Sequence, residues 1–340
     1  MSGRQSGRPT LEEVAARAGV GRGTVSRVIN GSPRVSEQAK AAVDRAIAEL
    51  GYVPNQAARA LAGSRTDAIA LVIPETEARL FAEPYFLDLI RGVGAELAEA
   101  DKQLLLTLVR SDRERRRFEQ YVAAQRVDGV LIASVHADDP LPELVRELGL
   151  PVVLNGRRSE DEPVPYVDSD NAGAGRAAVD HLAARGRRAI ATITGPLDMY
   201  VARARLDGYR AGLAAAGLAA DEALVATGDF TEEGGHRAMR ELLARRPGLD
   251  AVFAASDVMA AGARAALREA GRRVPDDVAL VGVDDSTVAR LMDPPLTSVR
   301  QPIEEMGRTM ARMLLQELAE TAQAPHRRVL PTEMTVRAST

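Results

Sequence analysis

TLEEVAARAGVGRGTVSRVIN, residues 10–30, is the stretch that decides the fold of the N-terminal part of the chain. Thr10 and Glu13 have the spacing of a capping box, in which each side chain accepts a hydrogen bond from the other residue's backbone N–H. Apolar residues then recur at helical spacing as far as Gly19, and glycine readily adopts the left-handed conformation that ends a helix. These signals predict one helix that ends at Gly19 and a second over about 22–30.

A third helix completes the pattern. Ser36 can cap a helix over about 37–50, which would end at a glycine. Two short helices that are joined by a tight turn and braced by a third are typical of a helix-turn-helix, whose second helix lies in the major groove of DNA. Arg22 and Arg27 are the long donors on that second helix, and arginine can pair bidentately with guanine.

The other small and polar residues of this region suit a close approach to DNA or contacts with phosphate groups, which position a protein without reading sequence. The further candidates are Thr10, Gly23, Thr24, Ser26, Asn30 and Arg34. Residues 1–63 contain nine basic and five acidic residues, whereas the remainder contains 35 basic and 43 acidic residues. A basic head on an acidic body favours DNA binding by the head alone. A three-helix bundle with solvated arginines is the alternative.

Residues 10–63 resemble the DNA-binding head of the LacI/GalR family of bacterial repressors from end to end. The matching pieces are VAARAGV, TVSRVIN, LGYVPN and a closing ALAG. The resemblance implies a helix-turn-helix domain over 1–53 and a hinge helix with a linker over 54–65, which in this family folds on DNA and enters the minor groove. It also implies DNA contacts by Asn55, Ala58, Arg59 and Leu61. Leu61 would be the apolar wedge that unstacks a base step, and an ordinary linker residue is the alternative.

Beyond residue 66, short apolar runs alternate with amphipathic helices twice in succession. The first set is AIALVIP, LLLTLV, GVLIAS and PVVLN, and the second is AIATIT, ALVAT, AVFAAS and VALVGV. Strands that alternate with helices predict parallel sheets with right-handed crossovers. The predicted fold class is an N-terminal all-α helix-turn-helix head followed by an α/β body of two doubly wound parallel-sheet subdomains. The LacI/GalR body, which is similar to periplasmic sugar-binding proteins, has this arrangement.

The resemblance also implies three crossings between the two subdomains, which we expect near Asp168, Ser298 and Arg327. The expected effector-binding and dimerisation domain, 66–340, divides into an N-subdomain of about 66–167 and 298–326 and a C-subdomain of about 168–297 and 327–340. In open α/β sheets, ligands bind beyond the carboxyl ends of the strands. The loops that follow the strands are therefore where we expect an effector site.

Several of these loops match sugar-binding motifs of the family. Arg205 lies in RLDGY, which matches RLxGY, and Asp284 lies in VGVDD, which matches GYDD; in the family, both residues bind hydroxyl groups. Tyr85 and Phe86 lie in EPYF, which matches NPYF, whose aromatic rings stack on the ligand. This set makes physical sense, because a sugar ring offers C–H faces to aromatic rings and hydroxyls to charged groups. A salt bridge for Arg205, a helix cap for Asp284 and a core position for Phe86 are the alternatives.

Other effector candidates rest on looser matches. Ser256 and Asp257, in AASD, match the family's AND, with serine in place of asparagine. The family often has IDR where this chain has Asn-Gly-Arg at 155–157, which keeps Arg157 but puts Gly156 in place of an aspartate. The weakest candidates, each of which is also readable as an ordinary loop residue, are His136, Asp198 and Asp229.

The effector we expect is cellobiose or a short β-glucoside. Gly156 leaves room in the pocket, which is compatible with a disaccharide. Segments such as FAEPYF, VDGVLIASVHADDPLP and ITGPLDM resemble the cellobiose-responsive repressors in particular. The resemblance therefore implies a repressor of sugar-utilisation genes, and the two arginines of the second helix predict a palindromic G·C-rich operator.

The composition argues against several other classes of function. The chain has no cysteine, which excludes disulfides and zinc–thiolate sites, and four scattered histidines, which do not suggest a metal site. No apolar run approaches ~20 residues, and the N-terminus lacks the apolar core of a signal peptide, so we expect a cytoplasmic protein without membrane contact. Residues 173–178 have the GxGxxA spacing of a dinucleotide fingerprint, which is weak on its own. We expect neither an enzyme nor a cofactor.

Oligomeric state and the sign of regulation are further expectations. The C-terminal run PTEMTVRAST has no leucine heptads, which family tetramers need, so we expect a homodimer on an inverted repeat. The alternatives are a periplasmic sugar carrier, an enzyme on the same scaffold, and a regulator whose corepressor tightens DNA binding. That corepressor would be a different sugar, a purine or a phosphoprotein.

Overall fold

The computed structural model describes residues 9–29, 32, 34–52, 66–319 and 327–340. The chain divides into two compact units, Met1–Thr66 and Asp67–Thr340, here called the head and the body. Five candidate DNA contacts lie outside the described residues: Asn30, Asn55, Ala58, Arg59 and Leu61. Among the described helices, none is long and apolar enough to cross a membrane.

The described part of the head contains the three predicted helices, which are α1 (Leu11–Ala18), α2 (Arg22–Ile29) and α3 (Glu37–Leu50). The capping box of Thr10 and Glu13 is confirmed, with both reciprocal hydrogen bonds present. Gly19 ends α1 in the left-handed conformation with a φ of 67°, and the side chain of Ser36 caps α3. A small core joins the helices and consists of Val14, Ala15, Val25, Val43, Ala46 and Tyr52.

The described part of the body contains two sheets of six strands each. The first sheet has the order β11-β5-β4-β3-β1-β2, and all its pairs are parallel. Its strands are β1 (Ala68–Ile73), β2 (Gln103–Leu108), β3 (Gly129–Ile132), β4 (Val152–Asn155), β5 (Tyr166–Ser169) and β11 (Arg327–Leu330). The second sheet has the order β12-β10-β9-β8-β6-β7, and only its β10–β12 pair is antiparallel. Its strands are β6 (Ile190–Thr194), β7 (Val225–Thr227), β8 (Ala251–Ala254), β9 (Ala279–Asp284), β10 (Thr297–Arg300) and β12 (Glu333–Thr335).

Helices cover both faces of each sheet, which makes two lobes named here after their sheets. The first lobe contains α4 (Glu77–Ala82), α5 (Pro84–Glu99), α6 (Asp112–Ala123), α7 (Leu141–Glu147) and α13 (Ile303–Leu318). The second lobe contains α8 (Asn171–Ala184), α9 (Tyr200–Ala215), α10 (Glu232–Arg245), α11 (Asp257–Glu269) and α12 (Thr287–Leu291). On β1, Ile69 and Leu71 join one buried cluster while Ala70 and Val72 join another. Strands buried on both faces are typical of doubly wound folds.

The chain crosses between the lobes later than the sequence suggested. The crossings follow Ser169, Arg300 and Leu330, because β5, β10 and β11 each stay paired with the sheet that the chain is leaving. Residues 298–300 therefore belong to the second lobe and 327–330 to the first, which corrects the expected subdomain boundaries. The sequence of β11 is a poor guide, since RRVL forms an edge strand that is largely exposed.

Gly175 of the GxGxxA segment and Gly208 allow two helices of the second lobe to pack closely. A β-carbon on Gly175 of α8 would lie 2.2 Å from the backbone oxygen of Arg205 on α9. Reciprocally, a β-carbon on Gly208 would lie 2.0 Å from the backbone oxygen of Ala172. Both distances are shorter than any tolerable contact, so this crossing requires glycine. The spacing that resembled a dinucleotide fingerprint thus sets the position of α9 and of Arg205.

Candidate functional site

A cleft with an empty volume of about 650 Å³, open to solvent, is lined by residues of both lobes. Its lining residues lie at or beyond the carboxyl ends of the strands, as expected for an α/β protein. Six of the effector candidates line it: Tyr85, Phe86, Arg157, Arg205, Ser256 and Asp284. Lining residues that the sequence analysis did not single out include Arg79, Glu83, Asn155, Asp168, Asn171, Phe230 and Gln301.

Four candidates lie elsewhere. Asp257 is fully buried, and its carboxylate accepts hydrogen bonds from the backbone N–H and hydroxyl of Ser286 and from the hydroxyl of Ser298. This carboxylate ties α11 to the segments that follow β9 and form β10. His136 Nδ1 and Asp198 Oδ2 lie 2.6 Å apart and join loops of the two lobes. The carboxylate of Asp229 accepts a hydrogen bond within its own loop, from the backbone N–H of Thr231.

A chain of hydrogen bonds runs across the cleft from one lobe to the other. Arg205 is 4% exposed, and its Nε donates to Asn171 Oδ1 at 2.9 Å. Asn171 Nδ2 donates to Asp168 Oδ1 at 2.8 Å. Arg157 Nε completes the chain by donating to Asp168 Oδ2 at 3.0 Å, and its guanidinium lies 4.4 Å from the ring centre of Tyr200. These contacts hold both arginines in fixed positions beside the cleft.

Asp284 ends β9 with a φ of 114°, which non-glycine residues rarely adopt and which is often found at functional sites. Its Oδ1 accepts a hydrogen bond from Gln301 Nε2 at 2.6 Å. Burial raises the pKa of the Asp284 carboxyl, and the charge of Arg205 partly opposes this effect. Burial also raises the pKa of Asp257, and the nearby charge of Asp284 raises it further.

The first lobe contributes an arginine held between two glutamates. Arg79 Nε donates to Glu83 Oε2 at 3.1 Å, and its Nη1 donates to Glu75 Oε1 at 2.5 Å. The guanidinium also lies 5.4 Å from the ring centre of Phe230, which belongs to the second lobe. Burial raises the pKa of Glu83 to about 7, although the charge of Arg79 opposes the shift. This group was not predicted from the sequence, because α4, which carries Arg79, is a helix of only six residues.

Asn155, at the end of β4, leaves a polar atom without a partner. The Tyr85 hydroxyl donates to Asn155 Oδ1, and the amide is 3% exposed. Among the described residues, Asn155 Nδ2 is the one buried side-chain nitrogen or oxygen that makes no hydrogen bond. Such an atom costs about 1–3 kcal/mol, and its place in the cleft wall makes it available to a ligand that accepts a hydrogen bond.

The cleft combines donors, acceptors and aromatic rings. Its lining includes three carboxylates and three guanidinium groups, so charges of both signs border the cleft and neither is in excess. Within the described residues, no group of three or more histidine, aspartate or glutamate side chains could hold a metal ion. The arrangement suits a neutral ligand with many hydroxyl groups, which can both donate and accept hydrogen bonds.

On the head, α2 exposes the two predicted base-reading arginines. Arg22 forms an exposed ion pair with Glu12 at 3.0 Å, an interaction that contributes about 0–1 kcal/mol and that a phosphate or base can replace. Arg27 is exposed, and a β-carbon on Gly23 would lie 3.7 Å from its Nη2. Thr24 and Ser26 are half-buried and Arg34 is exposed, whereas the hydroxyl of Thr10 serves the capping box.

Two family models match the chain. The model described as bacterial regulatory proteins, lacI family, matches residues 10–55. The model described as a periplasmic binding protein-like domain matches residues 179–340. These matches cover the described helices of the head and most of the second lobe.

Curated relatives match over almost the whole chain. The HTH-type transcriptional regulator CelR of Thermobifida fusca is 55% identical over 334 residues, which are 98% of each chain. The ribose operon repressor of Escherichia coli strain K12 is 36% identical over 92% of this chain and 93% of its own.

Two solved structures extend the likeness to the fold. The transcriptional regulator CelR–cellobiose complex has a TM-score of 0.79 at 54% identity and covers 98% of this chain and 100% of its own. The lac repressor dimer bound to operator and the anti-inducer ONPF has a TM-score of 0.84 at 28% identity and covers 98% and 99%. With a helix-turn-helix head, a two-lobed body and relatives of this identity along its length, the chain belongs to the lacI family of bacterial regulatory proteins.

Proposed function

We propose that this LacI-family regulator is a homodimeric repressor of sugar-utilisation genes that cellobiose or a short β-glucoside releases from its operator. The observation that carries the proposal is the cleft, whose fixed arginines, buried carboxylates and unpartnered amide suit a neutral ligand rich in hydroxyls. The likeness to a protein whose structure is a cellobiose complex supports this choice of sugar.

The charges around the cleft favour a sugar over an anionic ligand. Glu83, Asp168 and Asp284 all border the cleft beside the arginines. A phosphate group would lie close to these carboxylates, and the repulsion between the negative charges would disfavour its binding. Hydroxyl groups can donate to the same carboxylates and accept from the guanidinium groups.

The operator in this proposal is an inverted repeat rich in G·C pairs. Two heads related by a two-fold axis would each place α2 in the major groove, with Arg22 and Arg27 at guanines. The hinge contacts, which lie outside the described residues, would be made by Asn55, Ala58, Arg59 and Leu61. As a DNA-binding regulator, the protein would act on the nucleoid in the cytoplasm.

Release would follow from the position of the ligand between the lobes. A sugar that contacts Arg205 in the second lobe and Tyr85 in the first binds best when the lobes are close together. Such a ligand favours the arrangement of lobes that it fits, and a coupling of about 1–3 kcal/mol to DNA affinity is typical for such proteins.

Calorimetric titration of the full chain with a ligand panel tests the proposal. The panel contains cellobiose, cellotriose, glucose, ribose, guanine and glucose 6-phosphate. We expect cellobiose or cellotriose to bind at least tenfold more tightly than the other compounds. Preferential binding of a purine or of the phosphorylated sugar would contradict the sugar assignment and favour a corepressor.

A further inference from the structure

Glu83 occupies the first lobe's side of the cleft, immediately before α5. It is 6% exposed and borders the cleft. Its Oε2 accepts a hydrogen bond from Arg79 Nε at 3.1 Å. Its Oε1 accepts none from any residue that the structure describes. Asn155 Nδ2 is the one fully buried side-chain nitrogen or oxygen without a hydrogen bond among the described residues. Glu83 Oε1 is therefore accessible from the cleft that Glu83 lines, where it can accept a hydrogen bond from a ligand.

Arg79 and the residues that it contacts fix the position of the Glu83 carboxylate. Arg79, its partner, also donates to Glu75 Oε1 at 2.5 Å, and the hydroxyl of Ser134 donates to the same oxygen at 2.5 Å. Glu75 and Arg79 are largely buried, with side chains 10% and 14% exposed. A carboxylate held in this way keeps its free oxygen in one place, which is what selective recognition of a hydroxyl requires.

Glu83 and Arg79 thus give the first lobe its own carboxylate–guanidinium pair, opposite Asp284 and Arg205 of the second lobe. We propose that Glu83, held by Arg79, binds the effector directly by accepting a hydrogen bond from one of its hydroxyl groups. In this role it helps to determine which hydroxylated ligand the body accepts. The inference rests on the proposed function of the cleft as a sugar site.

Proton release on binding provides an independent readout. Burial raises the pKa of Glu83 to about 7 in the free cleft. The ionisable groups that face it are Arg79, Glu75, Asp284, Tyr85 and Arg205. A hydroxyl that donates to Oε1 stabilises the carboxylate, so ligand binding releases the proton. Affinity should therefore fall by about tenfold from pH 8 to pH 6, as linkage requires for a pKa of about 7.

The experiment titrates cellobiose into the full-length protein, E83Q and a control at pH 6, 7 and 8. The control is E99Q, the same change at the exposed far end of α5, where Glu99 pairs with Arg308. We expect E83Q to bind about 10- to 100-fold more weakly at pH 8, the range for losing a hydrogen bond to a charged group. It should also lose most of the pH dependence, whereas E99Q should behave as the wild type.

Two further measurements distinguish a direct contact between Glu83 and the sugar from an indirect, structural role of Glu83. Wild-type titrations at pH 7, in two buffers of different ionisation heat, should show proton release on binding; no release overturns the inference without any variant. Monodeoxy cellobioses should reveal one hydroxyl whose removal weakens the wild type but not E83Q. An equal loss by E83Q for every sugar, with wild-type pH dependence, would mean that Glu83 only supports the site. A wild type that binds no sugar overturns the proposed function together with this inference, whereas tight wild-type binding with an unaffected E83Q overturns the inference alone.

Discussion

The Tyr85–Asn155 contact leads to a prediction in which stability and ligand binding change in opposite directions. The double variant Tyr85→Phe/Asn155→Leu removes both polar groups at nearly constant volume. It eliminates one neutral hydrogen bond, which stabilises by about 1 kcal/mol, and one buried amide nitrogen without a partner, which costs about 1–3 kcal/mol. The balance predicts a ligand-free body that is more stable than the wild type by about 1 kcal/mol.

The single variants complete the cycle. Asn155→Leu leaves the Tyr85 hydroxyl without its acceptor, and Tyr85→Phe leaves the Asn155 amide without its one hydrogen bond. Each single variant should therefore be less stable than the double variant. Scanning calorimetry of the full chain resolves the difference, because 1 kcal/mol corresponds to about 2–4 °C in Tm for a unit of this size.

Added sugar should make the wild type more stable than the double variant, the reverse of the order without sugar. Cellobiose at a hundred times its Kd should stabilise the wild type by about 2.7 kcal/mol, and the double variant by much less. The expected balance at Tyr85 and Asn155 would be contradicted by a double variant that is destabilised by more than about 1 kcal/mol without sugar, or by one that cellobiose stabilises as much as the wild type.

Three other outcomes follow from the head, the helix packing and the buried carboxyls. Arg27→Ala should cost about 1–3 kcal/mol at one base position in competition binding over a panel of palindromes, whereas Arg34→Ala should weaken all of them equally; equal weakening by both would make Arg27 a phosphate contact. Gly208→Ala should destabilise the body by at least about 1–3 kcal/mol and weaken sugar binding, because its β-carbon would lie 2.0 Å from a backbone oxygen of α8; Gly248→Ala, where a β-carbon meets nothing within 4 Å, is the control for calorimetry. Burial raises the pKa values of four buried carboxyls, which belong to Glu83, Asp168, Asp257 and Asp284. The folded body therefore holds protons that the unfolded chain releases, and its Tm should rise as pH falls from 8 to about 5.5. A Tm that falls over this range would contradict those pKa shifts.

The described helices of the head could be predicted from the sequence, because their signals are local. The capping box at Thr10, the left-handed Gly19 and the Ser36 cap each act within four residues of the helix end that they define. The two-sheet body was also predictable, since apolar runs alternate with helices. The edge strand β11 was assigned to the wrong lobe, because RRVL pairs with β5 through its backbone and carries little apolar pattern.

The residues that line the cleft were only partly predictable, because many of them come from parts of the chain that are far apart in sequence. Motif matching found Arg205 and Asp284, which do line the cleft, but it also selected Asp257, which lies buried beside two serines. Only the fold brings Asn155 to Tyr85 and places Glu83 near the charge of Asp284, although the hydrogen-bond partner of Glu83, Arg79, is close in sequence. The position of Asn155 at the carboxyl end of β4 was an available signal. Glu83 had no such signal, because it follows α4 and not a strand.

In the proposed function, a sugar in the cleft lowers the affinity of the head for DNA. The most direct test of this effect is fluorescence anisotropy of a labelled G·C-rich palindrome bound to the full-length protein, with cellobiose titrated into the complex. We expect a saturable release and a five- to 150-fold lower operator affinity at saturation, the usual range of such couplings, about 1–3 kcal/mol. An operator affinity that stays constant, or rises, while calorimetry shows the cleft to be full of cellobiose would contradict this expectation.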